Sequence, residues 1–464
     1  MSLLIRNGTV VTPDKISIAD LYAEHNTITA IGESLAQQAD ITIDASGKYV
    51  IPGGVDVHTH LEAPVGETTS SDDFETGTRA AAFGGTTCIV DFATQSKGQS
   101  LLDAYNVWRQ KAAKATIDYG LHMIVVDVAN GRMEELDDLV GEGVTSFKLF
   151  TAYPGALMVN DATILRVMLR AGNTGALIAV HAENGGAIEV LVQKALAEGR
   201  TAPIEHALTR PAIAEAEAIH RVITLARIAN VPIYIVHVTS AEALEEITRA
   251  RQKGIAVFGE TCPQYLFLTK EELRRPDFEG AKFVLTPPLR EHADQKALWK
   301  GLQDGILQVV STDHCPFFFA TQKRAGLSDF TKIPNGGPGI EHRLQLLYHF
   351  GVNQGKFSLS KWVDLVAANP AKLFGLYPQK GALQAGSDAD IVIWDPNQKH
   401  TISATSHHMN VDYSMYEGIV VQGNAETVIS RGEVVVNNNT WYAKPGRGRY
   451  LKRSPFGVAW STVR

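Results

Sequence analysis

The chain has 464 residues, of which 45% are hydrophobic and 20% are charged, a composition that excludes a disordered chain and supplies a large apolar core. The net charge of −7 argues against a nucleic-acid-binding surface. Three cysteines are too few for a disulfide framework, and we find neither a signal-like N-terminus nor an apolar run of membrane length. We therefore expect a cytoplasmic protein that binds neither nucleic acid nor membrane.

The two ends of the chain have the pattern of β-structure. Residues 1–48 cluster β-branched residues around Asn-Gly and Asn-Thr turns, as in LLIRNGTVVT. Residues 376–440 repeat the pattern in ADIVIWDP and ETVISRGEVVVN. We predict that 1–48 and 376–440 meet in one small β-sandwich, with the middle of the chain inserted between them.

The middle of the chain, from 49 to 375, alternates strand and helix patterns. Segments such as EAEAIHRVITLARIAN place apolar residues at helical spacing and end in Gly or Asn. Strand and helix alternating eight times predicts a (β/α)₈ barrel of the α/β class. The eight runs that predict its strands are 49–60, 86–93, 121–128, 144–150, 176–183, 232–240, 254–260 and 307–314.

Polar residues collect where these predicted strands end, which is the end of such a barrel that carries chemistry. Residues two apart in a strand share a face, so His58 and His60 point to the barrel interior, and such a pair suits a divalent metal like Zn²⁺. Any one of these residues alone would more often be an ordinary core residue, but their coincidence at one end predicts a metal site. The predicted ligands are His58, His60, Lys148, His181, His237 and Asp313.

Lys148 lies in the apolar run VTSFKLF. A buried lone ammonium is costly unless it is paired, neutral or chemically changed. The run alone favours a lysine that reaches out of the strand end or pairs with an acid. The predicted ring of four histidines and Asp313 favours chemical change instead. His122, in the third run, is predicted to be structural and to lie at the opposite end of the barrel.

A series of motifs follows in order along nearly the whole chain. They resemble the dihydropyrimidinase and D-hydantoinase branch of the cyclic amidohydrolases. The resemblance implies ring opening of 5,6-dihydropyrimidines or D-type 5-substituted hydantoins to N-carbamoyl amino acids, by a hydroxide that bridges two metal ions. The motifs are GGVDVHTHLE, SFKLFTAY, VHAEN, IVHVTS, ETCPQYL, TPPLR, STDHCPF, KIPNGGPGIEHR, AKLFGLYPQKGALQAGSDADIVIWDP and VDYSMYEG.

The resemblance also implies roles for the predicted ligands. His58, His60 and Asp313 would bind one ion, and His181 and His237 the other. Lys148 matches the family's carboxylated lysine, an N6-carboxylysine that bridges both ions. The ions are expected to be Zn²⁺, with Mn²⁺ or Co²⁺ as alternatives. Asp313 would also accept the proton of the nucleophile and pass it to the leaving nitrogen.

Three further residues match the family's substrate-binding positions. Tyr153 would donate a hydrogen bond to the substrate carbonyl, and Thr286 and Asn335 would hold the ring through backbone groups. Most relatives have Ser at the position of Thr286, and a contact made by the backbone tolerates that change.

Four other functions agree less well with the sequence. Dihydroorotases carry Arg two residues after HxH, where this chain has Glu62, which would repel a substrate carboxylate. Allantoinase is not excluded by charge, although LEAPVGETTSSDD does not match its usual motifs. A non-catalytic scaffold homologue would have lost ligands that this chain keeps, and Lys148 argues against a mononuclear deaminase.

Three loops at the predicted barrel mouth, 61–71, 93–99 and 151–160, are expected to set specificity. Leu61, Val65, Phe150 and Ala152 are the candidate apolar lining. The basic tail 441–464 has the composition of a solvated segment. In the family it packs on a neighbouring subunit, so we expect a subunit interface and a homotetramer.

Overall fold

The structure, a computed structural model, describes residues 2–129 and 131–456 and contains two large sheets. Within the described residues, no helix has both the length and the apolarity that crossing a membrane requires. The strands are β1 (Ser2–Val11), β2 (Ile16–Glu24), β3 (Thr27–Gly32), β4 (Ile41–Asp44), β5 (Tyr49–Pro52), β6 (Gly54–Thr59), β7 (Pro64–Val65), β8 (Thr68–Thr69), β9 (Thr86–Thr94), β10 (Asp118–Ile124), β11 (Ser146–Phe150), β12 (Leu177–His181), β13 (Ile233–Ile235), β14 (Val257–Thr261), β15 (Val309–Val310), β16 (Ile391–Thr401), β17 (Val420–Ser430), β18 (Glu433–Asn437) and β19 (Thr440–Trp441).

Helices connect most of the strands of the central sheet. The α-helices are α1 (Phe74–Phe83), α2 (Leu101–Lys111), α3 (Glu135–Gly141), α4 (Asp161–Thr174), α5 (Gly185–Ala197), α6 (Glu205–Leu208), α7 (Ala212–Ala229), α8 (Ala241–Gln252), α9 (Pro263–Phe267), α10 (His292–Gln303), α11 (Arg343–Leu347), α12 (Leu359–Val363) and α13 (Asn369–Leu373). Short 3₁₀ turns lie at Ala112–Lys114, Lys270–Arg274, Glu279–Phe283, Lys323–Gly326 and Phe330–Lys332, and π turns at Tyr348–Val352 and Asp364–Ala368.

The central sheet has eight parallel strands and forms a barrel. Its order is β6-β9-β10-β11-β12-β13-β14-β15. A parallel bridge between Thr59 and His314 joins the first strand to the segment that follows the last one. The His60 amide also donates to the His314 carbonyl at 2.9 Å. This architecture confirms the predicted (β/α)₈ barrel.

The run 49–60, predicted as one strand, forms two strands in different sheets. β5 pairs antiparallel with β16, whereas β6 pairs parallel with β9. Gly53 lies between them, and a Cβ there would come within 2.0 Å of Thr87 Oγ1. Only a glycine permits this approach, and it lets the chain leave one sheet and enter the other within a single residue.

The second large sheet has nine strands drawn from both ends of the chain. β5 and β16 pair antiparallel, and this joins β1–β5 to β16–β19. Apolar residues from both ends, among them Leu21, Val50 and Ile391, form one buried cluster under the sheet. The smaller β domain built from both termini is therefore confirmed, while the domain boundaries proposed above stay predictions.

The loops at the carboxyl ends of the barrel strands finish at well-capped helices. Asp73 caps α1 by accepting hydrogen bonds from the amides of Glu75 and Thr76. Asn160 caps α4 in the same way through the amide of Thr163. Side chains of this type satisfy the free amides of a first helical turn. The caps fix the points at which the first and third loops re-enter regular structure.

The described part of the predicted tail packs on the barrel of its own chain. Tyr450 forms a parallel bridge with Tyr119, and the Leu451 amide donates to the Tyr119 carbonyl at 2.8 Å. Arg453 is only 3% exposed and donates to Ser146 Oγ at 2.9 Å. A solvated segment is therefore wrong for 447–456. Residues 457–464 lie outside the described residues, and the subunit interface stays a prediction.

Candidate functional site

The structure brings all six predicted metal ligands together at the carboxyl ends of the barrel strands. His58 lies in β6 and His60 directly after it, and Lys148 lies in β11. His181 ends β12, His237 follows β13 by two residues, and Asp313 follows β15 by three. Parallel strands place their carboxyl ends at one end of the barrel, which explains why residues far apart in sequence meet here.

Three of these residues form a compact group. Asp313 Oδ1 lies 3.1 Å from His58 Nε2 and 3.2 Å from His60 Nε2. One ligand atom from each of the three lies within 4.8 Å of the other two. Asp313 has a φ of 52°, in the left-handed region that non-glycine residues rarely adopt. Such backbone strain collects at sites where function requires it.

Lys148 lies beside this group in an apolar setting. Its side chain is 1% exposed, and its Nζ is 2.9 Å from His58 Nε2. The same Nζ lies 4.2 Å from the centre of the Phe92 ring. Burial lowers the pKa of Lys148 to about 8, because the ammonium loses its hydration. The neutral, nucleophilic amine is therefore far more populated near neutral pH than in an exposed lysine, although the ammonium is still the major form.

His181 and His237 form the other half of the cluster. His181 Nδ1 lies 2.9 Å from His237 Nε2, and the ring of His237 stacks on that of His58 at 5.4 Å between centres. Burial lowers the pKa of both His181 and His237. Both imidazoles are therefore neutral near pH 7, which is the form that binds a metal.

Two buried glutamates orient the histidines, and the sequence reasoning missed both. Glu260, in β14, accepts a hydrogen bond from His58 Nδ1 and another from the His237 amide at 3.2 Å. Glu183 Oε2 lies 2.8 Å from His181 Nε2. Carboxylates commonly hold the second nitrogen of a metal-binding histidine in this way. Glu260 carried the same signal as Lys148, a charged residue in an apolar run.

Close contacts between carboxylates and imidazoles shift the pKa values of the site. Burial opposes protonation of His58, but the carboxylates of Asp313 and Glu260 outweigh it and raise the pKa of His58. Burial likewise opposes ionisation of Asp313, yet the charge and hydrogen bonds of His58 and His60 hold its pKa well below the usual range. Burial lowers the pKa of His60 to about 4, so its ring is neutral.

The donor set fits two divalent ions. His58, His60 and Asp313 form one compact group, and His181 and His237 contact each other beside it, with the His237 ring stacked on that of His58. Imidazole and carboxylate are ligands of Zn²⁺ and of other divalent metals. Asp313 alone supplies one negative charge, which is little to balance two divalent cations. A carboxylated Lys148 would add a second anionic group with two oxygens.

The cluster opens into a cavity of ≈ 270 Å³. Tyr153, Thr286 and Asn335, the predicted substrate-binding residues, line this cavity together with the metal-ligand cluster. Burial raises the pKa of Tyr153 to about 12, so its hydroxyl keeps its proton and can donate a hydrogen bond. The φ of Tyr153 is 64°, a second strained backbone at the site.

All three predicted loops reach the cavity, but two of the four predicted apolar lining residues do not. Val65 and Phe150 line it, and Ala63, Thr94 and Leu157 add further wall from the three loops. The prediction is wrong for Leu61, which packs against Gly77 of α1 in the barrel core. It is also wrong for Ala152, which lies against Gly185 at the start of α5.

Two other expectations also change. Glu62 does not face a substrate, because its side chain pairs with Lys114 at 3.1 Å, so repulsion by Glu62 no longer argues against a dihydroorotase. His122 does not lie at the opposite end of the barrel. Its ring stacks on Phe92 at 4.4 Å, and Phe92 stacks on His60 at 5.1 Å. Both nitrogens of His122 have partners, which fits its structural role.

Comparisons with known proteins identify the family. The model of the amidohydrolase family matches residues 49–435. The chain is 54% identical to a D-hydantoinase of Streptomyces coelicolor, over 97% of this chain and 98% of the relative. It superposes on the crystal structure of a dihydropyrimidinase from Brevibacillus agri with a TM-score of 0.97 and 52% identity, covering 98% and 99% of the two chains.

A second solved structure has the same fold at a lower sequence identity. The L-hydantoinase (dihydropyrimidinase) of Arthrobacter aurescens superposes with a TM-score of 0.88 but is only 30% identical, over 97% of this chain and 99% of the other. Identity therefore falls from about half to under a third while the fold is kept. The chain belongs to the amidohydrolase family, in its D-hydantoinase and dihydropyrimidinase branch.

Proposed function

We propose that the protein hydrolyses the ring amide of 5-substituted hydantoins and 5,6-dihydropyrimidines, releasing N-carbamoyl amino acids. The observation that carries the proposal is the cavity of ≈ 270 Å³, in which the metal-ligand cluster meets Tyr153, Thr286 and Asn335. This volume suits a five- or six-membered ring with a modest substituent. The chain is also about half identical to proteins named D-hydantoinase and dihydropyrimidinase.

We propose selectivity for the D series, and the same comparisons support it. The chain shares 54% of its residues with a D-hydantoinase and 30% with an L-hydantoinase of the same fold. Loops at the mouth of a barrel commonly set such preferences. The wall formed by Val65, Phe150 and Leu157 is apolar and would receive the ring substituent.

Two Zn²⁺ ions are proposed to bind at the cluster, one held by His58, His60 and Asp313 and the other by His181 and His237. Mn²⁺ and Co²⁺ offer similar chemistry. We propose that Lys148 is carboxylated and contributes to both ions. Its apolar surroundings favour the neutral amine, which adds to CO₂ with loss of a proton and becomes an anionic carbamate.

When bound, the metal pair supplies a nucleophilic water at neutral pH and polarises the scissile carbonyl. Tyr153 donates a hydrogen bond to the carbonyl oxygen, whose negative charge grows as the carbon becomes tetrahedral. Asp313 accepts the proton that the water loses when its oxygen bonds to the carbon. It returns that proton to the ring nitrogen as the C–N bond breaks.

Thr286 and Asn335 are proposed to fix the ring for this attack. Both line the cavity, on loops that follow different barrel strands. Backbone groups of these loops can bind the ring without depending on the side chain, so Thr286 serves as well as Ser.

The experiment is an assay of the purified protein with dihydrouracil, allantoin and matched D- and L-5-substituted hydantoins, together with metal analysis. We expect two metals per chain, turnover of dihydrouracil and D-hydantoins, and little turnover of L-hydantoins or allantoin. A clear preference for the L series would contradict the D assignment. A metal-free protein that stays inert after addition of zinc, cobalt or manganese would favour a non-catalytic scaffold.

We further propose a homotetramer in the cytoplasm. Cys88, Cys262 and Cys315 are buried free thiols, which suits a reducing compartment. Light scattering after size-exclusion chromatography tests the assembly, and a monomer of 50.4 kDa would contradict it.

A further inference from the structure

Lys323 is a buried lysine with no part in the chemistry above. Its side chain is fully buried. Its Nζ donates hydrogen bonds to three backbone carbonyls, those of Val284 at 2.9 Å, Pro334 at 2.8 Å and Gly336 at 2.7 Å. An ammonium has three N–H donors, so three acceptors use its whole capacity.

The three carbonyls lie in the two loops that carry the proposed ring-binding residues. Val284 precedes Thr286 by two residues, and Pro334 and Gly336 flank Asn335 on either side. The loops also meet directly, because the Gly336 amide donates to the Val284 carbonyl at 3.1 Å. One side chain therefore ties together two segments that are roughly 50 residues apart in sequence.

The Thr286 loop is held at further points by other buried side chains. His206 Nε2 bonds to the Leu285 carbonyl at 2.9 Å, and the Tyr265 hydroxyl donates to the Pro287 carbonyl at 2.8 Å. These contacts fix this loop alone. Lys323 differs because it binds both loops, and together with the direct bond between Gly336 and Val284 it holds them at a fixed separation.

We propose that Lys323 is a positioning residue for the cyclic substrate, which holds Thr286 and Asn335 at the separation that a small ring requires. This inference rests on the proposed function, since the ring is what the two loops receive. Lys323 is not among the residues that line the cavity, so it acts through the loops. Burial lowers the pKa of Lys323 to about 7, but three carbonyl acceptors favour the charged form, which alone can donate to all of them.

Removing the ammonium should weaken substrate binding more than the chemical step. In Lys323→Met the three carbonyls lose their shared donor while the volume of the side chain is kept. We expect KM to rise about tenfold with kcat within about threefold of wild type, because the loops contact the ring equally in the ground and transition states. Metal content should stay unchanged. Lys323→Gln, whose amide keeps two N–H donors, should give an intermediate KM.

The test combines these kinetics with hydrogen–deuterium exchange of peptides that span 284–287 and 333–337. Exchange should be faster in both peptides in Lys323→Met and less so in Lys323→Gln, and this readout needs no activity. Asp388→Asn is the matched control. It removes a buried-lysine contact of 3.0 Å, to Lys380, away from the cavity, so it should lower the melting temperature and leave KM and both peptides unchanged.

Wild-type KM and wild-type exchange in Lys323→Met would overturn the proposal. An equal rise of KM in Asp388→Asn would also overturn it, since loss of stability alone would then explain the effect. If Lys323→Met does not fold, Lys323→Gln decides by the same criteria. Wild-type protein that fails to hydrolyse any cyclic amide would contradict the proposed function, and the exchange data would still judge the contact between the loops.

Discussion

Two buried lysines near opposite ends of the barrel strands have opposite electrostatic surroundings. Lys148, at the carboxyl ends, is 2.9 Å from the Nε2 of a histidine, and burial lowers its pKa to about 8. Lys380 contacts Asp118 at 2.7 Å and Asp390 at 2.9 Å. Asp118 is the first residue of β10. Burial lowers the pKa of Lys380 too, but the carboxylates of Asp390 and Asp118 more than reverse it.

The difference separates a lysine whose charge is kept for stability from one whose amine is proposed to take part in the chemistry. Lys380 has three carboxylate partners, and Arg431 joins the same group through Asp118 at 3.1 Å. A buried charge with full partners stays ionised and unreactive. Lys148 lacks such partners at its own nitrogen among the described residues, so its environment favours the reactive amine. Both residues are lysines, so the difference between them comes from their neighbours.

The largest effect should follow from removing the reactive lysine. Lys148→Ala should lose two-metal occupancy and lower kcat/KM by at least about 10³-fold, because a water-activating metal pair contributes much of the rate. Metal analysis and the hydantoin assay check this. Added acetate should restore part of both, since it offers two oxygens in the vacated space. A fully metallated, active Lys148→Ala would remove the contrast between the two lysines.

A smaller loss is expected when the oxyanion donor is removed. Tyr153→Phe should lower kcat by about 10²- to 10³-fold, as for other single oxyanion donors. Metal content and melting temperature should match wild type, because Tyr153 is proposed to contact the substrate and not the metal. Unchanged turnover would remove Tyr153 from the mechanism.

The orienting carboxylate of the site should matter less again. Glu260→Gln should weaken metal binding or activity by about 10- to 100-fold, the usual range for a residue that holds a metal-binding histidine. Tyr234→Phe is the matched control, since its hydroxyl donates to the other oxygen of Glu260 at 2.8 Å, and it should cost less. Competition with a chelator measures the affinity, and equal losses in both variants would contradict a specific role for the bond to His58.

A substitution in the ion cluster around Lys380 should have the opposite effect, lowering stability while leaving activity unchanged. Asp118→Asn should lower the free energy of unfolding by about 3–5 kcal/mol, because it leaves buried cations short of a partner. The folded fraction should keep kcat/KM within about twofold of wild type, since distant sites act independently. Urea denaturation and the hydantoin assay test both parts. A large loss of kcat/KM would show that the two ends are coupled.

The smallest expected effect is that of pH on this stability difference. The folded pKa of Asp118 is lowered, so its stabilisation is present above pH of about 4 and is lost only as pH falls further. The folded pKa of Lys380 is raised, so its stabilisation is complete below pH of about 10 and is lost only above that. Burial, and in part the charge of Asp118, raises the pKa of the neighbouring Asp390. The gap between wild type and Asp118→Asn should therefore be constant up to pH 9 once Asp390 is ionised, which urea denaturation from pH 5 to 9 checks.

The barrel could be predicted because strand and helix patterns repeat along the chain. The cluster of predicted ligands could be predicted because its members lie where those strands end. Eight apolar runs with helical segments between them specify the architecture, and strand ends bring His58, Lys148 and Asp313 together whatever their distance in sequence. The split of 49–60 could not be predicted, because an apolar run does not show which sheet each half will join. Gly53 carries that information only once Thr87 is known to lie against it.

Side-chain partners outside the motifs were beyond the sequence. Glu260 lies 202 residues from His58 along the chain, and nothing local links the two. Leu61 packs against Gly77 of α1 because a residue next to His60 points to the opposite face of the chain. The left-handed φ of 51° at Glu62 then ends the strand alternation, so the direction of the Glu62 side chain could not be read from the sequence. Lys323 lies outside the predicted strands, and its three carbonyl partners can be identified only from the folded structure.

The sheet that draws its strands from both termini has a consequence for how the protein is made. β5 leaves the ribosome early, but its partner β16 follows only after roughly 340 more residues, on the order of half a minute at ordinary rates of synthesis. Until then one side of β5 has no partner strand from its own chain. The whole barrel must emerge within that interval, so a chaperone or a fast-folding barrel would protect the waiting edge from pairing with another chain.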